Sequence, residues 1–158
     1  MRRRVAMVSM ALTLALATGL ATGGRPARGQ QGGIPARQVT LFGILATPQG
    51  DRVDPALKKI EPQLKKLFPG HSFKLLKSDS KRLTIGQGMT VDLGDGWVAG
   101  SDLLAVLDND GNIQFKFALE LNGQTEFATI VRTPPNQLFF CDKMLPGGAR
   151  LLIGLGGR

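Results

Sequence analysis

The chain has 158 residues and one cysteine, with 20 lysines and arginines against 12 aspartates and glutamates, a formal net charge of +8. A lone cysteine excludes an intramolecular disulfide framework, so stability has to come from packing. The length allows one domain with its own core. The charge at face value suggests a nucleic-acid binder, because basic clusters neutralise phosphates.

The N-terminus removes much of that suggestion. Met1 and Arg2-Arg3-Arg4 precede an uncharged run from Val5 to Leu16, and small residues follow at Ala15-Leu16-Ala17, Ala21-Thr22-Gly23 and Ala27-Arg28-Gly29. This is the order of a secretory signal: charged start, apolar centre, small residues where a peptidase cuts. Residues 1–29 are expected to be removed, placing the mature protein in the periplasm or outside the cell. Val5 to Ala21 is short for a span of roughly 20 apolar residues, so contact with a membrane is expected only through a signal segment left uncleaved. Five arginines leave with the signal, and 15 basic against 12 acidic groups remain, a net of +3. Nucleic acid is then no longer an expected partner. Residues 30–37 read as a flexible Gly-rich leader, and 38–158 as one β-rich domain.

Val39 to Ala46 is an almost unbroken apolar run, as in a buried strand. Asp54 and Pro55 then announce a helix, because a carboxylate accepts from the free amides of a first turn and proline suits the first helical position. Leu57, Ile60, Leu64, Leu67 and Phe68 fall on one helical face, with Lys58, Lys59, Lys65 and Lys66 opposite. Pro62 is expected to kink that helix near Lys58. From Ser72 the period changes to two. Met89-Val91-Leu93 alternates with polar residues, Leu103 to Leu107 leads to Asn109-Asp110-Gly111, and Ile113 to Leu121 alternates cleanly. Asn122-Gly123 joins this strand to Thr125 to Arg132 by a hairpin turn. Pro134-Pro135-Asn136 and Pro146-Gly147-Gly148 set off strands at Gln137 to Cys141 and Ala149 to Leu155. The predicted class is α+β: a mainly antiparallel β-sandwich or partly open barrel of about seven or eight strands with one early amphipathic helix.

Few residues suggest chemistry. His71 is the only histidine and sits in a Pro69-Gly70-His71-Ser72 loop; with Cys141 as the only thiol, no zinc-type ligand set can be assembled. Cys141 lies within Leu138-Phe139-Phe140-Cys141 and reads as a buried apolar thiol. Asp108-Asn109-Asp110-Gly111-Asn112 begins like a calcium loop, but its glycine comes at the fourth position and Leu119 occupies the place of the bidentate glutamate. Gly86-Gln87-Gly88, Gly94-Asp95-Gly96 and Gly154-Leu155-Gly156-Gly157 open no helix and read as turns and a frayed tail, so no metal or cofactor is expected. Asp92, Asp95 and Asp102 are candidate paired carboxylates for hydrolysis. Trp97 follows a turn, where it suits a packing role or stacking on a sugar.

Charge position says more. Lys58, Lys59, Lys65, Lys66, Lys74, Lys77, Lys81 and Arg82 meet only Glu61 and Asp79 within their segment, a local net of +6, while the rest of the mature chain carries −3. These eight are the candidate binding residues, for an anionic envelope component or an acidic protein surface.

Asp54-Pro55-Ala56-Leu57-Lys58-Lys59 through Leu64-Lys65-Lys66-Leu67-Phe68, then Ser72-Phe73-Lys74-Leu75-Leu76 and the apolar Gly148 to Ile153 strand, resembles a pattern of uncharacterised small exported bacterial proteins, in which a capped basic helix precedes a β-rich remainder. The resemblance implies a small exported domain and carries no functional residues. The expected function is non-enzymatic binding in the bacterial envelope through the basic helix face. The alternatives are a small secreted hydrolase using carboxylates and a homo-oligomeric envelope component, which would expose a long apolar edge strand.

Overall fold

Strands occupy most of the computed structural model, which describes residues 35–107 and 109–158. The expected signal at 1–29, the leader up to residue 34, and Asp108 lie outside the described residues. In chain order the strands are β1 (Ala36–Pro48), β2 (His71–Thr84), β3 (Gly88–Gly94), β4 (Trp97–Val106), β5 (Ile113–Leu121), β6 (Gln124–Thr133), β7 (Leu138–Met144) and β8 (Arg150–Gly157). A 3₁₀ turn at Pro55–Leu57 and a helix, α1 (Glu61–Leu67), separate β1 from β2. The protein is therefore mainly antiparallel β with one short early helix, as the periodicity predicts.

The strands form two four-stranded sheets, ordered β2-β1-β8-β7 and β3-β4-β5-β6. Almost every hydrogen-bonded neighbour is also a neighbour in sequence; the exception is β8, which returns to pair with β1. Between β2 and β3, and again between β6 and β7, the chain passes from one sheet to the other and no ladder joins the two strands.

The two central strands of the first sheet, β1 and β8, are largely buried on both faces, which explains why β1 reads as an apolar run and not as an alternation. Val39 and Leu41 join Leu151, Ile153 and Leu155 of β8 in a cluster with Val91, Phe115, Phe117 and Val131 of the second sheet. Phe42, Ile44 and Ala46 point the other way, where Leu57 and Leu64 of the helical segment cover them together with Phe73 and Leu152. Phe139 and Phe140 divide likewise: Phe139 meets Phe117 edge-on at 6.4 Å between centroids, and Phe140 meets Phe42 at 6.0 Å. The second sheet has one wet face, so its strands alternate.

Three expectations change. The helix is not one kinked rod but a 3₁₀ turn, a bend at Lys58-Lys59-Ile60, and seven residues of α-helix. Pro62 has no N–H and its ring would press on the Lys58 carbonyl in a continuous helix, so the chain restarts with Pro62 in the first turn of α1. Asp54 caps the 3₁₀ turn, its Oδ1 accepting from the Ala56 amide at 3.0 Å. With the phase broken, Leu67 leaves the apolar face and is 49% exposed. Second, the segment from Gly154 to Gly157 is no frayed tail: it completes β8, and all four residues are buried. Glycine is needed there for close approach. A Cβ on Gly154 would overlap the Phe42 ring, and one on Gly156 would stand 2.7 Å from the Gln137 carbonyl oxygen. Third, the strand read from Leu103 to Leu107 starts earlier, β4 opening at Trp97, because Gly100 and Ser101 dilute the alternation that would have marked it; Trp97 itself packs against the main cluster, one of the two roles expected of it.

The Gly154 contact gives a direct test of this packing. Gly154→Ala is expected to cost about 1–3 kcal/mol in urea unfolding, as overpacked cores do, and Phe42→Leu in the same chain is expected to return part of that loss.

Candidate functional site

The uncovered half of the first sheet's outer face holds the most developed concavity. The helical segment lies over the end where Ile44, Ala46 and Phe73 sit, and leaves Gln38, Thr40 and their β2 partners Arg82 and Ser80 less covered. Three adjoining depressions, of about 550, 730 and 290 Å³, meet at Leu138 of β7. Phe42, Leu75, Leu138 and Phe140 give apolar lining; Thr40, Ser78, Asn136 and Gln137 give polar groups. The charged side chains lining them are Lys59, Lys66 and Arg158, and none of the lining side chains is a carboxylate.

The eight cations singled out in the sequence are all exposed but do not share one surface. Lys58 and Lys59 stand in the bend ahead of α1, and Lys59 lines two of the depressions. Lys66 lines the third, beside Leu67 and Phe140. Lys65 pairs with Glu61 one helical turn earlier at 2.6 Å, and that hydrogen bond and charge raise its pKa. Arg82 is the direct partner of Gln38, on the outer face. Lys74, Lys77 and Lys81 instead oppose Leu45, Gly43 and Val39, on the side of β1 that looks toward the second sheet. Period-two geometry separates Arg82 from Lys81 although they are adjacent in sequence. The structure thus gathers Lys59 and Lys66 around the outer-face depressions and sends three of the others elsewhere.

Sequence reasoning missed the residues that complete the concavity. Asn136 and Gln137 come from the turn before β7, and Leu138 and Phe140 from β7 itself. Nothing local marks them, because their position beside α1 follows from β7 pairing with β8 and β8 with β1.

A second depression, of about 480 Å³, lies over β3, β4 and β5. Its floor is a cross-strand row of small side chains, Thr90, Gly100 and Ala118, and its rim carries Asp102 and Lys116 as direct partners, with Asp79, Lys81 and Glu120. Its charge is mixed. Asp102 is one of the candidate carboxylates; Asp92 instead accepts from the Gly94 amide at 2.9 Å, and Asp95 takes a positive φ at the turn into β4.

His71 starts β2, its Nδ1 3.1 Å from the Pro69 carbonyl and its ring edge-on to Phe68. Phe68 in turn receives the Arg150 guanidinium over its face at 5.1 Å, and Arg150 pairs with Asp142. The single histidine is thereby tied into an end-of-sheet packing chain. Asn109, Asp110 and Gly111 turn the chain, with the Leu107 amide donating to the Asn112 carbonyl at 2.8 Å; among the described residues no group of three His, Cys, Asp or Glu could hold a metal ion. No helix among them is long and apolar enough to cross a membrane.

Cys141 lies half-buried in β7, and burial, followed by the charge of Asp142, pushes its thiol up to about 12. Ser101 Oγ is buried on the inner face of the second sheet, with no hydrogen-bond partner among the described residues.

Compared with protein-family models, curated proteins and solved structures, the chain matches none.

Two outcomes follow from these buried groups. A raised thiol pKa means that the folded state favours the neutral form, so this stabilising contribution is complete below the unfolded value and fades as pH climbs from about 9 toward 12. The stability difference between the wild type and Cys141→Ala is therefore expected to shrink on going from pH 8 to pH 10.5, by on the order of 1 kcal/mol in urea titrations, given the thiol's partial exposure. Ser101→Ala, which removes an unpaired buried hydroxyl, is expected to be neutral or to stabilise by about 1 kcal/mol in thermal unfolding.

Proposed function

We propose that this is an exported, sandwich-like binding domain that works without catalysis and receives an anionic partner on the outer face of its first sheet. The observation that carries this reading is the charge asymmetry of the two concave surfaces. Among the described residues, the outer-face depressions are lined by lysine and arginine side chains with no side-chain carboxylate, whereas the depression on the second sheet mixes both signs. An anion approaching the first meets Lys59 and Lys66 over an apolar lining that holds no aspartate or glutamate. The partner is an anionic envelope component or an acidic protein surface, and the place of action is the periplasm or the cell exterior. The N-terminal signal and the resemblance to small exported bacterial proteins support that placement.

Binding of polyphosphate and of an acidic polysaccharide, followed by calorimetry, tests the reading. Lys59→Glu with Lys66→Glu is expected to weaken affinity about tenfold or more, with the wild-type constant falling linearly in log salt. Lys77→Glu with Lys81→Glu, on the other side of β2, is expected to change it far less. Equal effects of the two pairs, or no binding of either probe, would refute the proposal.

The gathering of Asp79, Asp102 and Glu120 on the second sheet favours one second reading, hydrolysis by carboxylates. On that reading Asp102→Asn or Glu120→Gln abolishes turnover of a glycoside panel that the wild type cleaves.

A further inference from the structure

The two sheets end in four edge strands, β2, β7, β3 and β6, and three of them carry features that discourage pairing with another chain. β2 bears Lys74, Lys77 and Lys81; β7 is seven residues long and holds Asp142 and Lys143; β3 is also seven residues and has glycine at both ends with Asp92 between. Short length and charge are the usual protections of an edge. β6 lacks them. It runs for ten residues, its centre from Phe127 to Val131 has no charge and no proline, and Phe127 and Ile130 are 44% and 61% exposed. Among the described residues no strand pairs with β6 on the side away from β5; β7 reaches it through the Lys143–Glu126 ion pair at 2.8 Å.

We propose that β6 pairs antiparallel with β6 of a second copy about a two-fold axis at Thr129, joining the two second sheets into one of eight strands. The strand's own charges favour this partner and this register. With Thr129 opposite itself, Glu126, which also holds Lys143 of its own chain at 2.8 Å, falls opposite the partner's Arg132 at each end, and the uncharged centre lies between the two sites of opposite charge. On the outer face Ile130 then meets the partner's Ala128, so a large side chain faces a small one. On the inner face Phe127 meets the partner's Val131, which covers the exposed part of a ring that already touches Phe117 at 6.2 Å between centroids. The bulge opposite Leu119 and Glu120 falls at Glu126 and ends the regular ladder where the opposite charges stand. Neither the outer-face depressions nor Lys59 and Lys66 take part, so this inference stands apart from anion binding.

Sedimentation equilibrium on the protein as recovered from expressing cells tests it. The wild type is expected to be a dimer at tens of micromolar, and Ile130→Lys is expected to raise the dissociation constant about tenfold or more with unchanged circular dichroism. Glu126→Arg is expected to weaken the dimer about threefold to fivefold, and adding Arg132→Glu restores it, because the swapped pair is again complementary. Thr129→Cys, in a Cys141→Ala background, is expected to form an intermolecular disulfide on mild oxidation, which keeps the test open if Ile130→Lys fails to fold. A wild type that stays monomeric up to ~0.1 mM overturns the proposal. So does an oligomer that survives Ile130→Lys without crosslinking through Thr129→Cys.

Discussion

The pairing of β1 with β8 is the constraint on which the molecule depends. Without it the first sheet would be two separate hairpin-like pairs, β1 with β2 and β7 with β8, each exposing an apolar face. Through eight direct partners from Val39–Gly157 to Ala46–Arg150, the first and last strands become the two central strands of one sheet. Beyond that ladder, Gln38 and Arg158 exchange backbone hydrogen bonds of 2.8 and 3.0 Å. This closure spans almost the whole described chain, a contact that is slow to find in folding and that, once formed, orders everything hung on it.

The first of the two concave surfaces follows from it. The outer-face concavity exists because β8 has glycine where its neighbours carry bulk: Gly154 lets the Phe42 ring lie across the strand, and Gly156 brings Gln137 and Leu138 close. β7 is thereby held against the flank of α1, and the interrupted helix, too short to roof the whole sheet, leaves the half beside Thr40 open. The bend at Lys58-Lys59-Ile60 then sets Lys59 and Lys66 beside this half. On the second sheet the floor is made by small residues in register, and Asp79 and Lys81 of β2 line its rim.

Much of the fold was legible in the sequence, and the failures have a common cause. Ile113 to Leu121 and Met89 to Leu93 alternate because one face is wet, and Asn122-Gly123 fixes their hairpin neighbour; these are local signals. Asp54 and Pro55 mark the helical entry correctly. The end of β8 was hidden because its glycines answer to Phe42 and Gln137, more than a hundred and about twenty residues away in sequence respectively, and look like a tail until those neighbours are placed. The eight cations were legible as a cluster along the chain, but a strand sends alternate side chains to opposite faces, so Lys81 and Arg82 could not serve one surface. The contributions of Asn136, Leu138 and Phe140 had no local signature at all, being set by strand order.

The central claim is that the glycine-rich C-terminal strand is an interior strand of the first sheet, locked to β1, and that the outer-face concavity rests on this. Native-state amide hydrogen exchange resolved by residue tests it most directly. The account predicts that the ladder amides of β1 and β8, from Leu41 to Ala46 and from Leu151 to Leu155, exchange only by global unfolding, with free energies equal to those in β5 and to the stability measured by denaturant. Exchange of the β8 amides through local fraying, at free energies well below those of β5, would contradict it.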